Sequence, residues 1–340
     1  MFNYKLNLQL FAGALNTNIT TDSGLSVENK TFYDMTLIDE AQANLVHDQF
    51  AQKRPIPKNG GKKIEFRKFA SLPKALTALT EGVTPDGKKL SVSSIEATVS
   101  QYGDYIVQSD VLELTSIDNT IVEATKILGR QAGLTLDTIT RNVLQSGTEV
   151  FYCPKKDGTV VGSRSALTAE CKLTVDVVNR VVAILKKHNA PKINGDYIAI
   201  IHPLVAYDLM SDPAWVDAHK YTTPENIYNG EIGKIGGVRF IESSEAKVYY
   251  GTDDNNKCPS GLAVFGCLFL ADGAYGVTEI TGGGLQTIIK QKGSAGTGDP
   301  LDQRSSIGWK AIKTAEILVE PYMVRVECVS ALNNQITEPN

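Results

Sequence analysis

The amino-acid sequence predicts an α+β fold made up of one large domain or two ordinary ones. Three observations support this prediction. The first is a long amphipathic helix at residues 120–147, and the second is a pair of strand-like stretches at residues 62–69 and 91–107. The third is that the later strands and helices follow one another without a regular βαβ repeat. A chain of 340 residues with 42% apolar and 21% charged residues is typical of a folded protein of this size.

Charge and composition argue against several functional classes. The net charge of −4, from 34 basic and 38 acidic residues, argues against a dedicated nucleic-acid-binding protein, which would carry a basic excess. No apolar run is long enough to predict a membrane-spanning helix, and the interrupted apolar stretch over residues 1–15 predicts an ordinary N-terminus rather than a signal peptide. The five cysteines are scattered without a C-x-x-C pair, which argues against a disulfide framework or structural zinc and fits a reducing compartment.

Residues 120–147 carry one continuous apolar stripe on a 3.6-residue period. The stripe consists of Ile121, Ala124, Leu128, Ala132, Leu136, Ile139 and Val143. At about 1.5 Å per residue the helix would be roughly 40 Å long, which is long for a globular domain. Nothing on it suggests a catalyst, so we interpret this helix as a structural spine.

The ends and the middle of this helix carry separate signals. Thr120, followed by Glu123 three residues later, predicts an N-cap with a capping box, and Gly147 is a natural left-handed stop. Gly129 and Gly133 lie one turn apart inside the helix, where each glycine costs about 1 kcal/mol relative to alanine. Their presence predicts that another part of the structure approaches the helix backbone closely.

Residues 62–69 and 91–107 predict the two strands of a long β-ribbon. In the first strand Ile64 and Phe66 lie on one face. The opposite face carries Lys63, Glu65 and Arg67. An isolated two-stranded ribbon is marginally stable in water, so we predict that this one lies on a neighbouring subunit.

The loop between the two ribbon strands contains the segment Pro85-Asp86-Gly87. Proline presets φ, and we expect Gly87 to supply the left-handed position of a turn. The first 30 residues or so precede the ribbon and are rich in Asn, Thr and Ser with weak periodicity, which predicts an extended or partly ordered arm.

The remainder of the chain predicts shorter helices and strands. Residues 174–188 form an amphipathic helix with Thr174 as its N-cap, and residues 197–201 form a buried strand. His202-Pro203 and Asp212-Pro213 each open a short helix with proline at the first helical position. Further strands are predicted within residues 232–242, 262–270, 275–290 and 312–329.

No catalytic, cofactor-binding or metal-ligating site is predicted. The four histidines are far apart, and Ser71 with Lys74 matches S-x-x-K without the partner motifs that this chemistry requires. The glycine-rich residues 293–300 lack the lysine and the following helix that bind phosphate, and Asp253-Asp254 lies in loop-like sequence. The sequence therefore indicates a protein that is not an enzyme and needs no cofactor.

Long stretches of the chain, in order, carry a family resemblance. They read FAQKRPIPKNGGKKIEFRKF, LTEGVTPDGKKL, QYGDYIVQSDVLEL, HPLVAYDLMSDPAW, GEIGKIGGVRFIES and DPLDQRSSIGWKA. In these stretches the chain resembles the major capsid (coat) proteins of tailed bacteriophages, in particular a podophage-type subfamily. The resemblance implies the fold shared by tailed-phage and herpesvirus capsids. That fold has an N-terminal arm, an extended β-ribbon loop, a peripheral domain with a long spine helix, and an axial domain.

The resemblance also implies where these parts lie in the sequence. Residues 1–55 correspond to the arm and residues 56–110 to the extended loop. Residues 111–195 correspond to the peripheral domain with its spine at residues 120–147. Residues 196–305 correspond to the axial domain, and residues 306–340 to the closing strands of the peripheral domain and the tail.

As function, the resemblance implies a major capsid protein that self-assembles into the icosahedral shell enclosing the double-stranded DNA of a tailed phage. The chain would form pentamers and hexamers with itself, in the cytoplasm of the bacterial host, and end in the virion capsid. Scaffolding, portal and decoration proteins are the further partners, and packaged DNA would be contacted weakly and without sequence specificity. Lys88 and Lys89 lie near the loop tip, but the covalent crosslinking known for some of these shells is not implied, because no asparagine partner matches.

The residues predicted to contact a neighbouring subunit lie on the ribbon, at its turn and on the spine. They are Ile64, Glu65, Phe66, Arg67, Lys68, Pro85, Asp86, Gly87, Gly129 and Gly133. Burial on a neighbour would satisfy the edge hydrogen bonds of the ribbon and hide Ile64 and Phe66. The charged ribbon residues would set the register of the contact.

Two other classes remain open at this point. A cellular nanocompartment shell has the same fold, and it would carry a surface that docks an enzyme cargo. A soluble α+β enzyme would need titratable residues that converge in a deep pocket.

Overall fold

A computed structural model of the chain describes residues 37, 45–69, 72, 74–78, 81–82, 84, 86–115, 120–219, 231–253, 257–294 and 299–340. These residues form a five-stranded sheet, a seven-stranded sheet and a separate two-stranded ribbon. Helices lie between the strands without a βαβ repeat, and both sheets mix parallel with antiparallel pairs. This is the α+β class that the sequence predicts.

The five-stranded sheet is built around one long strand. Its members are β1 (Gln52–Lys53), β4 (Ser100–Ser109), β11 (Tyr275–Glu279), β12 (Gln286–Lys290) and β13 (Arg304–Ile317). β4 pairs with one side of β13, and β11 and β12 pair with the other, since Lys313 is paired with both Ser100 and Glu279. Gly308 lets β4 approach closely, because a Cβ there would lie 2.6 Å from the Cβ of Tyr105.

The predicted spine is confirmed as helix α2 (Thr120–Gln145), which ends two residues before Gly147. A short helix, α1 (Asp110–Thr115), precedes it. The buried stripe of α2 packs against β13, and the shared core contains Ala124, Leu128, Ala132, Leu136, Ile307, Trp309 and Ala311. Thr120 is the first helical residue rather than the cap, and its hydroxyl lies 3.3 Å from Oε1 of Gln108.

The seven-stranded sheet brings together strands that are far apart in the sequence. They are β5 (Val150–Tyr152), β6 (Tyr197–Ile201), β7 (Glu231–Ile235), β8 (Val238–Glu242), β9 (Val248–Tyr249), β10 (Val264–Leu270) and β14 (Met323–Cys328). The order is β5-β14-β10-β6-β8-β7, and β9 also pairs with β10. Every residue of β6 and β10 is buried, as expected for apolar strands covered on both faces.

Three helices share the core of this sheet. They are α3 (Val175–Lys187), α4 (Pro203–Met210) and α5 (Pro213–His219). Val178, Val181 and Leu185 of α3, Leu209 of α4 and Trp215 of α5 belong to the same buried cluster as the strands. The side chain of Thr174 caps α3, and proline opens α4 and α5, so these sequence predictions are confirmed.

The ribbon is shorter than the sequence predicts. β2 (Lys63–Phe69) and β3 (Val92–Thr98) pair antiparallel over seven residues each. The chain changes partner at Val99, so the second half of the predicted strand at residues 91–107 is β4 and belongs to the five-stranded sheet. The reason is burial, because Tyr102 and Ile106 of β4 contact the core beneath the spine.

The closing strands divide between the two sheets. β13 lies in the sheet that packs against the spine. β14 pairs with β10 and β5 in the seven-stranded sheet, because its apolar residues Val324, Val326 and Cys328 join the larger core. The predicted domain boundaries, including residues 306–340 as the closing strands of the peripheral domain and the tail, stay predictions.

Parts of the predicted arm and turn lie outside the described residues. For the arm at residues 1–55, the structure describes Leu37, which is buried with the spine, and residues 45–55. Pro85 of the predicted turn and the side chain of Lys68 are not described either. Among the described helices, none is long and apolar enough to cross a membrane.

Candidate functional site

The apolar face of the ribbon is covered by its own subunit. Phe66 is only 4% exposed, and a Cβ on Gly276 of β11 would lie 3.0 Å from its Cε1. The guanidinium carbon of Arg54 lies 5.8 Å from the centre of the Phe66 ring. Ala97, which pairs with Ile64 across the ribbon, is fully buried. Phe66 is therefore hidden by its own chain and not by a neighbour, because a glycine in β11 leaves space for the ring.

The opposite face of the ribbon is charged and exposed. Nζ of Lys63 lies 3.0 Å from Oε2 of Glu96 on the paired strand, and Arg67 lies 3.3 Å from Glu65 on the same strand. Exposed ion pairs of this kind contribute roughly 0–1 kcal/mol, so they exchange readily for other partners. The predicted contacts of Glu65 and Arg67 with a neighbour stay predictions.

Beyond the ribbon strands, the loop extends into solvent with large apolar side chains. Leu76 is 86% exposed and Leu90 is 67% exposed. Asp86 and Gly87 are exposed as well, and no atom lies within 4 Å of a Cβ built on Gly87. The predicted left-handed position at Gly87 is wrong, because the left-handed glycine of this loop is Gly82, with φ of +78°.

Gly129 and Gly133 lie on the buried side of the spine. This is the side that carries Leu128 and Leu136 toward β13. The opposite side of the helix faces solvent, where Ile127 is 60% exposed. The structure thus places both glycines inside the subunit, and their predicted contact with a neighbour stays a prediction.

Residues 45–50, which lead into the ribbon, are fixed to the spine by a buried polar cluster. The carboxylate of Asp137 accepts hydrogen bonds from the backbone N–H of Val46 at 2.9 Å and of His47 at 2.7 Å. Nδ1 of His47 lies 2.6 Å from the same carboxylate, and both side chains are almost wholly buried. The hydroxyl of Tyr275 donates to the backbone carbonyl of His47.

Asp48 extends this cluster to the five-stranded sheet. Its carboxylate accepts a hydrogen bond of 2.6 Å from the hydroxyl of Thr140 and pairs with Lys313 of β13. Nζ of Lys313 also donates to the carbonyl of Leu136 at 2.9 Å. The sequence analysis missed this cluster. The available signal was that Asp137 and Thr140 lie four residues after Gly133 and Leu136, on the same side of the predicted helix.

A second buried ionic cluster joins the seven-stranded sheet to the end of the spine. Glu327 of β14 is fully buried, and its carboxylate accepts a hydrogen bond of 2.7 Å from Nε of Arg164. The guanidinium of Arg164 lies 3.5 Å from the centre of the Tyr249 ring. Arg325 lies 3.1 Å from Glu327 and donates to the carbonyl of Gln145. Sequence spacing gave no signal for this cluster, because its members come from distant segments.

His202 is partly buried and the cysteines are buried within the fold. His202 precedes α4, where its Nδ1 accepts from the backbone N–H of Leu204 at 3.2 Å, and burial lowers its pKa to about 4. All five cysteines lie in the described part of the chain, where they are buried and form no disulfide. A hydrogen bond with Cys328 and burial raise the pKa of the Cys267 thiol well above its ordinary value. Within the described part of the chain, no group of three His, Cys, Asp or Glu residues is arranged to hold a metal ion.

An open cavity of about 620 Å³ lies between residues 45–55, the spine and β13. Two of the charged residues that line it, Asp48 and Lys313, pair with each other. The lining also includes Lys53, the last residue of β1, and Arg54, which directly follows it. A catalytic pocket would instead hold a carboxylate, a base or a nucleophile free to meet a substrate. The geometry of this region therefore fits a structural junction between the ribbon and the subunit body.

Comparisons with known proteins point to one family. A family model described as phage capsid protein matches residues 124–287. No curated protein matches the chain in sequence.

Solved phage capsids share the fold of most of the chain. The capsid of the cyanophage P-SCSP1u is similar with a TM-score of 0.62 and 13% identity, over 83% of this chain and 87% of that chain. The capsid of Ralstonia phage GP4 is similar with a TM-score of 0.62 and 13% identity, over 86% of this chain and 89% of that chain. The capsid of Helicobacter pylori bacteriophage KHP30 is similar with a TM-score of 0.58 and 11% identity, over 84% of this chain and 89% of that chain.

At these identities the solved structures establish the fold, and the family model matches just under half of the chain. The predicted podophage-type subfamily is not distinguished by either finding and stays a prediction. The chain therefore has the fold of tailed-phage capsid proteins, and its residues 124–287 match the family model of phage capsid proteins.

Proposed function

We propose that copies of this chain assemble through their ribbon loops into an icosahedral shell around the double-stranded DNA of a tailed phage. The observation that supports this most directly is the exposed loop, in which Leu76 and Leu90 extend into solvent. Large apolar side chains that are exposed together on a soluble protein mark interaction sites. In a shell subunit, the surface that covers them belongs to a neighbouring copy.

The base of the ribbon gives the loop a fixed starting direction. Phe66 anchors the ribbon on Gly276 of the same subunit, so the loop leaves the body at a defined place. A segment held in position before binding loses less conformational entropy when it binds. Each loop then packs on the next subunit. Contacts of this head-to-tail kind close into rings, and we propose pentamers and hexamers as those rings.

The further roles of the shell follow from its charge and its place of assembly. A net charge of −4 lets the wall contact packaged DNA weakly and without sequence specificity, since tight binding needs many phosphate contacts from basic residues. We propose assembly in the cytoplasm of the bacterial host, with scaffolding and portal proteins and with decoration proteins as later partners. The shell has no catalytic activity in this proposal. The family match favours a phage shell over a cellular nanocompartment.

The experiment that tests self-assembly is size-exclusion chromatography followed by negative-stain electron microscopy of the chain expressed alone. Closed shells, or rings of five and six subunits, are expected. A chain that stays monomeric, even after addition of the scaffolding protein of its phage, would contradict the proposal.

The role of the loop is tested with Leu76→Asp combined with Leu90→Asp. This variant is expected to remain folded by circular dichroism but to form no shells. Val160→Asp is the matched control, because Val160 is 80% exposed and lies in a different part of the chain, after β5. Normal shells from the loop variant would refute the role of the loop. Aspartates at Ile64 and Phe66 are less suitable, since Phe66 is buried in its own subunit and its replacement disturbs the fold.

A further inference from the structure

The open cavity between residues 45–55, the spine and β13 is large enough to hold a small molecule. Its volume of about 620 Å³ falls within the range of about 300–1,000 Å³ that is typical of ligand sites in proteins. The lining comes from three separate parts of the subunit, which include Leu45, Leu136 and Ala311. A molecule in this cavity would therefore lie between the segment that leads into the ribbon and the body of the subunit.

The lining of the cavity is apolar where it is buried and basic where it is exposed. Leu136 and Ala311, which belong to the core beneath the spine, are only 6% and 3% exposed. Other apolar residues of the lining are half-buried, namely Leu45, Val277, Leu285 and Ile312. Lys53 and Arg54 also line the cavity and are exposed. The cavity thus has an apolar floor and two cationic side chains on its solvent side.

The charges of the lining favour an anion. Four of the described residues that line the cavity are charged, and three of these are basic. Lys313 is neutralised by Asp48, with which it forms an ion pair, and its Nζ also donates to the carbonyl of Leu136 at 2.9 Å. Lys53 and Arg54 then leave the lining with an excess of two positive charges. A cleft with an excess of one sign attracts ligands of the opposite sign.

An apolar floor below a basic opening matches one chemical class of ligand. An amphiphile with a single straight apolar chain and one anionic head group can place the chain on the floor and the head group at the opening. Transfer of the chain from water to the apolar lining is favourable, because removal of apolar surface from water is the dominant driving force of binding. The carboxylate then remains partly solvated beside Lys53 and Arg54, so it loses little of its hydration.

We infer that this cavity binds a single-chain carboxylate of the fatty-acid class, with its chain against Leu136 and Ala311 and its head group beside Lys53 and Arg54. The inference goes beyond the proposed function, since self-assembly by itself requires no small molecule. Residues 45–50 are already attached to the spine by the hydrogen bonds of Asp137 and Asp48. The ligand adds an apolar contact to that attachment and stiffens the base of the ribbon.

Calorimetric titration of the full-length chain with dodecanoate, below its micellar concentration, tests the inference. Saturable binding of one molecule per chain is expected. Dodecyltrimethylammonium has the same chain with a cationic head group and is expected to bind roughly tenfold more weakly or not at all. Equal affinity for the two head groups would contradict the role of the basic opening. Uptake of dodecanoate without saturation would show unspecific adsorption to apolar surface and would overturn the inference.

A variant that fills the cavity locates the site. Leu285→Trp adds a large side chain at a half-buried position of the lining and is expected to abolish saturable binding. Val160→Trp is the matched control, because Val160 is 80% exposed and lies outside the lining. Circular dichroism establishes that both variants are folded. Undiminished affinity in folded Leu285→Trp would place the ligand elsewhere and overturn the inference.

A charge-reversal variant at an exposed position tests the opening of the cavity and does not depend on the packing of the interior. Lys53→Glu is expected to weaken the binding of dodecanoate roughly three- to tenfold, because an exposed attraction becomes a repulsion. Lys58→Glu makes the same change at an exposed lysine of the same segment that lies outside the lining, and it should leave the affinity unchanged. Equal effects of the two substitutions would show that only the overall charge of the segment matters.

Hydrogen exchange measures the consequence for the ribbon base. Saturating dodecanoate is expected to slow the exchange of the backbone amides of residues 45–55 in the wild-type chain. The same addition should leave these rates unchanged in Leu285→Trp. Saturable binding to the wild-type chain without slower exchange in this segment would mean that the ligand lies outside the cavity.

Discussion

Nδ1 of His47 lies 2.6 Å from Oδ2 of Asp137 in the interior of the subunit. His47 belongs to the segment that leads into the ribbon, and Asp137 lies in the middle of the spine. Because the same carboxylate also accepts two backbone hydrogen bonds, it fixes both the side chain and the main chain of this segment. The ribbon therefore starts from a point that is attached to the longest of the described helices.

Replacement of Asp137 by alanine is expected to lower the free energy of unfolding by about 3–5 kcal/mol, since it leaves buried donors without an acceptor. Asp137→Asn should cost less, because its amide oxygen still accepts a backbone hydrogen bond. Urea unfolding is measured in the assembly-deficient loop variant, so that subunit stability is observed alone. The control Asp86→Ala removes an exposed carboxylate and should change stability by about 0.5 kcal/mol or less. Equal losses for Asp137→Ala and Asp86→Ala would show that the buried cluster does not stabilise the subunit.

The contact between Phe66 and Gly276 should set the stability of the ribbon. A valine at position 276 would meet the Phe66 ring at its Cβ, 3.0 Å from Cε1, and is expected to destabilise this contact by about 1–3 kcal/mol. Limited trypsin digestion should then cut the ribbon faster at Lys62, Lys63 and Arg67. Gly87→Ala, at an open position, should leave the digestion rate unchanged. If Gly276→Val is digested at the wild-type rate, the ribbon is not held by this contact.

Gly133→Leu separates the two interpretations of the spine glycines. Because Gly133 is buried, a leucine there is expected to lower subunit stability by about 1–3 kcal/mol through overpacking. A glycine that contacts only a neighbour would behave differently: the substitution would block assembly and leave the soluble subunit as stable as before. Urea unfolding and particle formation are measured together. Ile127→Ala on the exposed side of the helix serves as the control for the stability measurement.

His202 should make the stability of the subunit sensitive to acid. Burial lowers its pKa from 6.5 to about 4 in the folded state, so the unfolded chain binds the proton first as the pH falls. The free energy of unfolding is therefore expected to contain the full contribution of neutral His202 above about pH 6.5. It should decrease as the pH falls from there to about pH 4. His202→Asn keeps an acceptor at the start of α4 and removes the titration, so its thermal midpoint should vary less with pH over this range. Identical pH profiles for wild type and variant would show that His202 does not contribute.

Periodicity predicted the elements whose burial follows from local sequence. The stripe on residues 120–147 is enough to predict the spine, since any amphipathic helix of that length must cover its apolar side. His202-Pro203 and Asp212-Pro213 similarly predict the starts of α4 and α5, because proline at the first helical position needs no tertiary contact.

Which strands pair with each other could not be predicted from the sequence pattern. Residues 91–107 alternate as one strand, yet the chain leaves the ribbon at Val99 and pairs with β13. β14 follows β13 closely in sequence but pairs with β10 in the other sheet. Strand pairing depends on which distant segments share a core, and alternation within one strand contains no information on that.

For the candidate site, the sequence by itself predicted a two-stranded ribbon that extends from an α+β body, and it predicted no catalytic site. The tertiary structure decided which apolar residues remain for a partner. Phe66 is hidden on Gly276 of its own chain, whereas Leu76, Leu90, Val111 and Leu114 are exposed. The physical reason is that the exposure of an apolar side chain depends on what distant segments place beside it. Only the folded chain brings β11 to the ribbon and leaves α1 uncovered.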